Sequence, residues 1–155
     1  VTVTTRPLTA LIACALASIA APRMLVGVER SDAVKEVTFD TVKLELKKGD
    51  AFDPSLLTDK VKELDGRQIR IRGYILPSFQ QTGIKQFVLV RDNMECCFGP
   101  GALLHDCILV EMIAPATAEF TVRPVSVEGT FSVREVKGPD GKHLAIYHLD
   151  GKEVK

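Results

Sequence analysis

The 155-residue chain is 46% hydrophobic and 26% charged, the profile of a chain that folds around a core rather than a disordered one. Its 20 Lys and Arg offset 20 Asp and Glu, so it lacks the basic excess that phosphate-gripping nucleic-acid binders need. With no Trp, two Tyr and seven Phe it also has few surfaces for stacking bases.

From Leu8 to Ala21 the chain reads LTALIACALASIAA, without a charge, between Arg6 and Pro22-Arg23. A short basic region, an apolar core and small residues near a cut site form the pattern of a secretory signal. The apolar residues cover every face of a helix, unlike the stripe of an amphipathic helix of the domain. The run is shorter than the roughly 20 residues of a membrane-spanning helix, although an anchor extended to Val28 is a second reading. A third comes from Leu11-Ile12-Ala13-Cys14, which has the shape of a lipoprotein processing box and would make Cys14 a lipidated first residue. Residues 1–30 are thus expected to be a signal peptide or membrane anchor. The protein is expected to be exported to the periplasm or cell envelope, touching membrane only through this segment.

Residues 31–53 form a polar lead-in segment, with a weak alternation at Val37 and Phe39 and then at Val42, Leu44 and Leu46, consistent with one strand. Asp53-Pro54 has the signature of a helix start, a capping carboxylate followed by proline at the first helical position. Leu56, Leu57, Val61 and Leu64 recur at helical spacing up to the stop at Asp65-Gly66, which predicts one short helix.

Strands follow. In residues 67–77, Ile69, Ile71, Gly73 and Ile75 share one face, and Arg70, Arg72 and Tyr74 the other. A polar connection over 78–84 leads to a strand at 86–91, short and apolar enough to be buried on both faces. A strand at 107–113 comes next. The clearest alternation lies in 123–135, with Val125, Val127, Gly129, Phe131 and Val133 inward. Gly138-Pro139-Asp140-Gly141 then turns the chain into a final strand at 143–149. Residues 54–155 are therefore read as the folded domain: mainly β, a small five-stranded OB-like barrel with one short N-terminal helix. A glycine inside two strands suits a strongly bent sheet. A β-sandwich is the alternative, with too few strands for two full layers.

The segments IRIRGYILPSFQQTGIKQFVLVRDNMECCFGPG and KHLAIYHLDG resemble the bacterial family described as domain of unknown function 3299. The resemblance covers roughly residues 40–150 and implies a small exported or lipid-anchored protein with an OB-like fold. Through some relatives that resemble components encoded beside zinc-responsive transport systems, it also implies metal handling in the envelope. Those relatives carry a shorter Cys-x-His segment where this chain has Glu95-Cys96-Cys97-Phe98-Gly99-Pro100-Gly101.

Residues 94–107, MECCFGPGALLHDC, hold three of the four cysteines together with Met94, Glu95, His105 and Asp106. Gly99-Pro100-Gly101 allows the chain to reverse and bring Cys96 or Cys97 towards His105 and Cys107. Thiolates and imidazole are preferred zinc ligands, and thiolates with Met suit Cu(I). The candidate metal ligands are Cys96, Cys97, His105 and Cys107, with zinc or copper as the ion. In an oxidising compartment the competing expectation is a disulfide from Cys107 to Cys96 or Cys97, stapling the loop to the next strand. A third is a thiol redox protein using the remaining cysteine.

Elsewhere, His148 is read as a partly buried, hydrogen-bonded histidine on the face of Leu144 and Ile146, and His143 as solvated. Arg70, Arg72, Lys85 and Arg91 form a solvated basic stripe or an ion-pair row with Glu111 and Glu128. There is no phosphate-binding Gly-rich loop, nucleophile elbow, HExxH or paired-carboxylate motif. The expected function is non-enzymatic, with no catalytic residues: an envelope protein holding a metal ion or contacting an envelope partner. Its alternatives are a disulfide-stapled structural domain and a thiol redox protein.

Overall fold

The structure, a computed structural model, describes residues 1–2, 33–47, 50–92, 103–139, 141 and 143–155. The readings of the N-terminal segment, lipidation at Cys14 included, lie outside these residues. The folded unit spans Ser31–Lys155.

The unit is mainly β, with strands β1 (Lys35–Val37), β2 (Gln68–Ile75), β3 (Gln86–Val90), β4 (Cys107–Met112), β5 (Val125–Lys137) and β6 (His143–Val154) in one sheet. The order β1-β2-β3-β4-β6-β5 is closed by a further pairing of β5 with β2, so β2 to β6 form a ring. All pairings in the ring are antiparallel except β4 with β6. This is the connectivity of the expected OB-like architecture: first strand to second, second to third, third parallel to fifth, fifth to fourth, fourth back to first.

Alternation in β2 works as the sequence suggests, with Ile69, Ile71, Gly73 and Ile75 buried. Its residues 68–73 pair with β5, whereas Tyr74 and Ile75 pair with β3. Gly73 sits at this change of partner. A Cβ there would lie 2.7 Å from the Val90 carbonyl oxygen and 3.0 Å from both the Leu89 and Phe39 side chains, so any larger residue would prise the bend open. On β5, a Cβ on Gly129 would overlap the Asp150 backbone carbonyl of β6, at a register shift between Glu128 and Gly129.

The lead-in segment differs from the strand expected of it. Its alternation is real as burial, since Val37, Phe39, Val42, Leu44 and Leu46 are all in the core. Among its described residues, however, the sheet pairing is confined to Lys35–Val37, parallel to β2. Burying each such side chain contributes about 1.5–3 kcal/mol, so the segment belongs to the core without joining the ladder.

The single helix expected after Asp53 is divided in two. Asp53 caps a 3-10 turn, Pro54–Leu56, by accepting from the Ser55 amide at 2.7 Å. The backbone extends at Leu57, and Thr58 then caps α1 (Asp59–Leu64) through the Val61 amide. Two good capping residues close together give two short starts rather than one continuous helix. Val61 and Leu64 bury the apolar stripe, and Gly66 ends the turn at φ 74°. Strand β3 also differs from expectation, being exposed at Gln86 and half-buried at Val88.

Candidate functional site

The Cys/His-rich stretch runs between β3 and β4. Met94, Glu95, Cys96 and Cys97 lie outside the described residues, whereas His105, Asp106 and Cys107 are placed. The β3–β4 ladder pairs Val90 with Cys107 and continues one step, the Arg91 amide donating to the Asp106 carbonyl at 3.0 Å. A 3-10 turn, Leu104–Asp106, feeds β4 and packs against β6. Cys107 is half-buried at the first position of the strand.

His105 is 1% exposed, and neither ring nitrogen has a hydrogen-bond partner. Its nearest charged neighbour is Asp106, with Nε2 to Oδ2 at 3.8 Å, beyond hydrogen-bonding reach. Burial pushes the imidazole pKa down. The Asp106 carboxylate opposes that shift, while the Lys43 and Arg91 charges reinforce it. The outcome is a neutral ring with a free lone pair, the form in which histidine binds a metal ion.

Asp106 is buried as well, and its Oδ1 also has no hydrogen-bond partner. It lies 3.7 Å from the Arg91 guanidinium, which is held at 2.8 Å by Asp40 from the lead-in segment. These groups face a cleft of about 400 Å³ lined by Lys43, Arg91, Asp92, Leu103, His105 and Asp106. Of the four expected ligands, the structure therefore places His105 and Cys107 two residues apart at the start of β4. Among the described residues no group of three or more His, Cys, Asp or Glu side chains is arranged to hold a metal ion.

Sequence reasoning missed the Arg91–Asp106 pairing. The signal was available: if one strand ends at Val90 and the next begins at Cys107, hairpin register sets Arg91 beside Asp106. The basic stripe is not a stripe. Arg70 bridges Glu36 at 2.6 Å and Glu128 at 2.8 Å, as the ion-pair alternative expected for Glu128, while Arg91 turns to Asp40 and Asp106.

The other two histidines are more enclosed than expected. His143 is held at 2.9 Å by Glu135 and lies edge-on to Phe52, instead of being solvated. His148 is 1% exposed, with Nε2 3.5 Å from Glu111 and Nδ1 3.5 Å from Asp150, and Nδ1 makes no hydrogen bond. Leu144 is 62% exposed, so it does not share the burial of Ile146 and His148.

A closed ring of OB-like connectivity, with a polar cleft beside the start of β4, defines a small β domain. The family profile described as protein of unknown function (DUF3299) matches residues 24–155, and the chain belongs to that family. A solved structure of a DUF3299 family protein from Pseudomonas aeruginosa PAO1 is similar in fold, with a TM-score of 0.58 at 20% identity, covering 79% of this chain and 95% of that one. No curated protein matches the sequence.

Proposed function

We propose that the protein is an exported, non-enzymatic component of the cell envelope, an OB-like module that binds one zinc or copper ion through Cys96, Cys97, His105 and Cys107. The observation that carries this reading is His105: a fully buried, neutral imidazole with two unpartnered nitrogens, two residues from a cysteine. An imidazole buried without partners loses its hydration and receives nothing in return, which is unfavourable by about 1–3 kcal/mol unless a ligand takes the lone pair. Asp106, beside the ring, is the type of carboxylate that orients a metal-bound histidine. The uncharged run Leu8–Ala21 supports export, and the lack of a recognisable nucleophile or acid–base motif supports a binding role.

The test is native mass spectrometry of protein exported by a bacterial host, before and after chelation and thiol alkylation. The expected result is one bound zinc or copper ion, released by chelation, with at least two cysteines then becoming alkylatable. A metal-free mass two protons light, with one alkylatable thiol outside the N-terminal segment, would replace this reading with the disulfide-stapled domain. A thiol pair that exchanges with glutathione would replace it with the redox protein.

A further inference from the structure

Two loops, before β3 and after β4, are paired side by side. Ile84 and Ala118 form an antiparallel bridge, their amides and carbonyls exchanging bonds of 2.9 and 2.8 Å, and the Phe120 amide donates to the Gln81 carbonyl at 2.8 Å. Phe79 precedes Gln81 by two residues and Val122 follows Phe120 by two, so each loop carries one of them just beyond this contact. Phe79 is 109% exposed and Val122 75%, while Ile84 and Ala118 beneath them are buried. The first loop is braced from within: the Gln80 side-chain Nε2 donates to the Thr82 and Gly83 carbonyls, the Ser78 hydroxyl to the Gln80 carbonyl, and the Gln81 side-chain Nε2 to the Ser78 carbonyl. Phe79 is thus held outward by a defined turn.

We propose that these paired loops are a lipid-contacting surface, with Phe79 and Val122 entering the headgroup–acyl boundary of a membrane. Three features favour lipid over other occupants. Residues 73–84 carry no charge, so the tip can enter the interface without desolvating an ion. Exposed Lys85 and Arg123 flank the pair against a single carboxylate, Glu119, so long cationic side chains are placed to reach anionic headgroups while the apolar tip inserts. The third feature rests on the proposed export reading: with Leu8–Ala21 retained as an anchor or lipidated, the chain is attached to a bilayer. Leu76, Pro77 and Ser78, at the foot of the first loop, also line an apolar cleft of about 400 Å³ that runs over Val88 and Leu109 to the exposed Leu144. That cleft extends the apolar surface inward from the loop tips.

The absence of tryptophan makes the test site-specific. Full-length Phe79→Trp, Val122→Trp and Lys60→Trp each carry one reporter, the last on α1 at the opposite end of β2. They are mixed with phosphatidylethanolamine–phosphatidylglycerol vesicles, with and without brominated acyl chains. Expected are a blue shift and bromine quenching at positions 79 and 122, with neither at position 60. Any vesicle binding by the N-terminal segment does not mimic this pattern. Vesicle-bound protein with unquenched emission at either loop position overturns the proposal, as does equal quenching at all three. A blue shift at position 79 that grows with protein concentration without lipid assigns the surface to a second copy of the chain and overturns it equally.

Discussion

The Tyr147 hydroxyl donates to the Val42 carbonyl at 2.7 Å, joining the last strand to the lead-in segment across 105 positions of sequence. Both residues are fully buried, and the Tyr147 ring lies 5.2 Å from that of Phe131. Val42 belongs to the stretch that packs in the core without joining the ladder. Its carbonyl would otherwise be an unsatisfied buried acceptor, and the phenol supplies the partner that the sheet does not.

Tyr147→Phe should therefore destabilise the protein by about 1–3 kcal/mol, since it leaves the carbonyl unpaired while conserving the ring. Burial also raises the Tyr147 pKa above its ordinary 10.0. A folded-state pKa above the unfolded one gives stability that is present below pH 10 and lost as the pH rises beyond it. Urea denaturation at neutral and strongly alkaline pH checks both points. The variant should be less stable at neutral pH and should lose less stability on alkalinisation than the parent.

Gly129→Ala should cost about 1–3 kcal/mol, because the new methyl group meets the Asp150 backbone, which the β5–β6 ladder holds in place. Gly151→Ala meets side chains instead, most closely the Met112 thioether, which turns aside readily, and then Val110 Cγ1 at 3.1 Å, which need give by only a few tenths of an ångström. Thermal denaturation should rank Gly129→Ala below Gly151→Ala. The reverse order would mean that the sheet yields more easily than the side chain.

In metal-free protein, His105 contributes a pH dependence of its own. Burial lowers its folded-state pKa below the ordinary 6.5, so the unfolded chain binds the extra proton first. Stability is then complete above about pH 6.5 and falls as the pH drops through that value towards the folded-state pKa. His105→Gln should flatten this part of the profile in chelator-treated samples. An unchanged slope would show that another group carries it.

Metal retention should depend on the residues around the turn. Cys107→Ser and His105→Gln each remove a proposed ligand and should abolish stoichiometric metal in native mass spectra. Asp106→Asn keeps the shape but weakens the orienting charge, and should lower affinity about 10–100-fold in a chelator competition. Full retention in Cys107→Ser would remove that residue from the ligand set.

The strands were legible because alternation is a local property. Ile69, Ile71 and Ile75, or Val125, Val127 and Phe131, declare a buried face whatever lies across from them. Closure into an OB-like ring was legible from strand count and from the glycines at Gly73 and Gly129, where the bend and the neighbouring strand leave no room for a side chain. The alternation at Val37–Leu46 showed burial but misled about pairing, since side-chain pattern does not reveal where the backbone finds its hydrogen bonds. The helix period across Leu56, Leu57, Val61 and Leu64 hid the second cap at Thr58 that breaks it.

His105 and Cys107 were found as candidates from residue type alone, because thiol and imidazole chemistry belongs to the side chain wherever it sits. What surrounds His105 was not legible. Its complete burial, the carboxylate of Asp106 beside it and the Arg91–Asp40 pair across the cleft bring together residues from positions 40 to 106. The sequence by itself determined the strand faces, the turns and the chemically capable residues, each set by a few consecutive side chains. The tertiary structure alone decided which polar groups are stripped of water, which find a partner and which apolar tips stay exposed, because each of these depends on what the closed ring brings near in space.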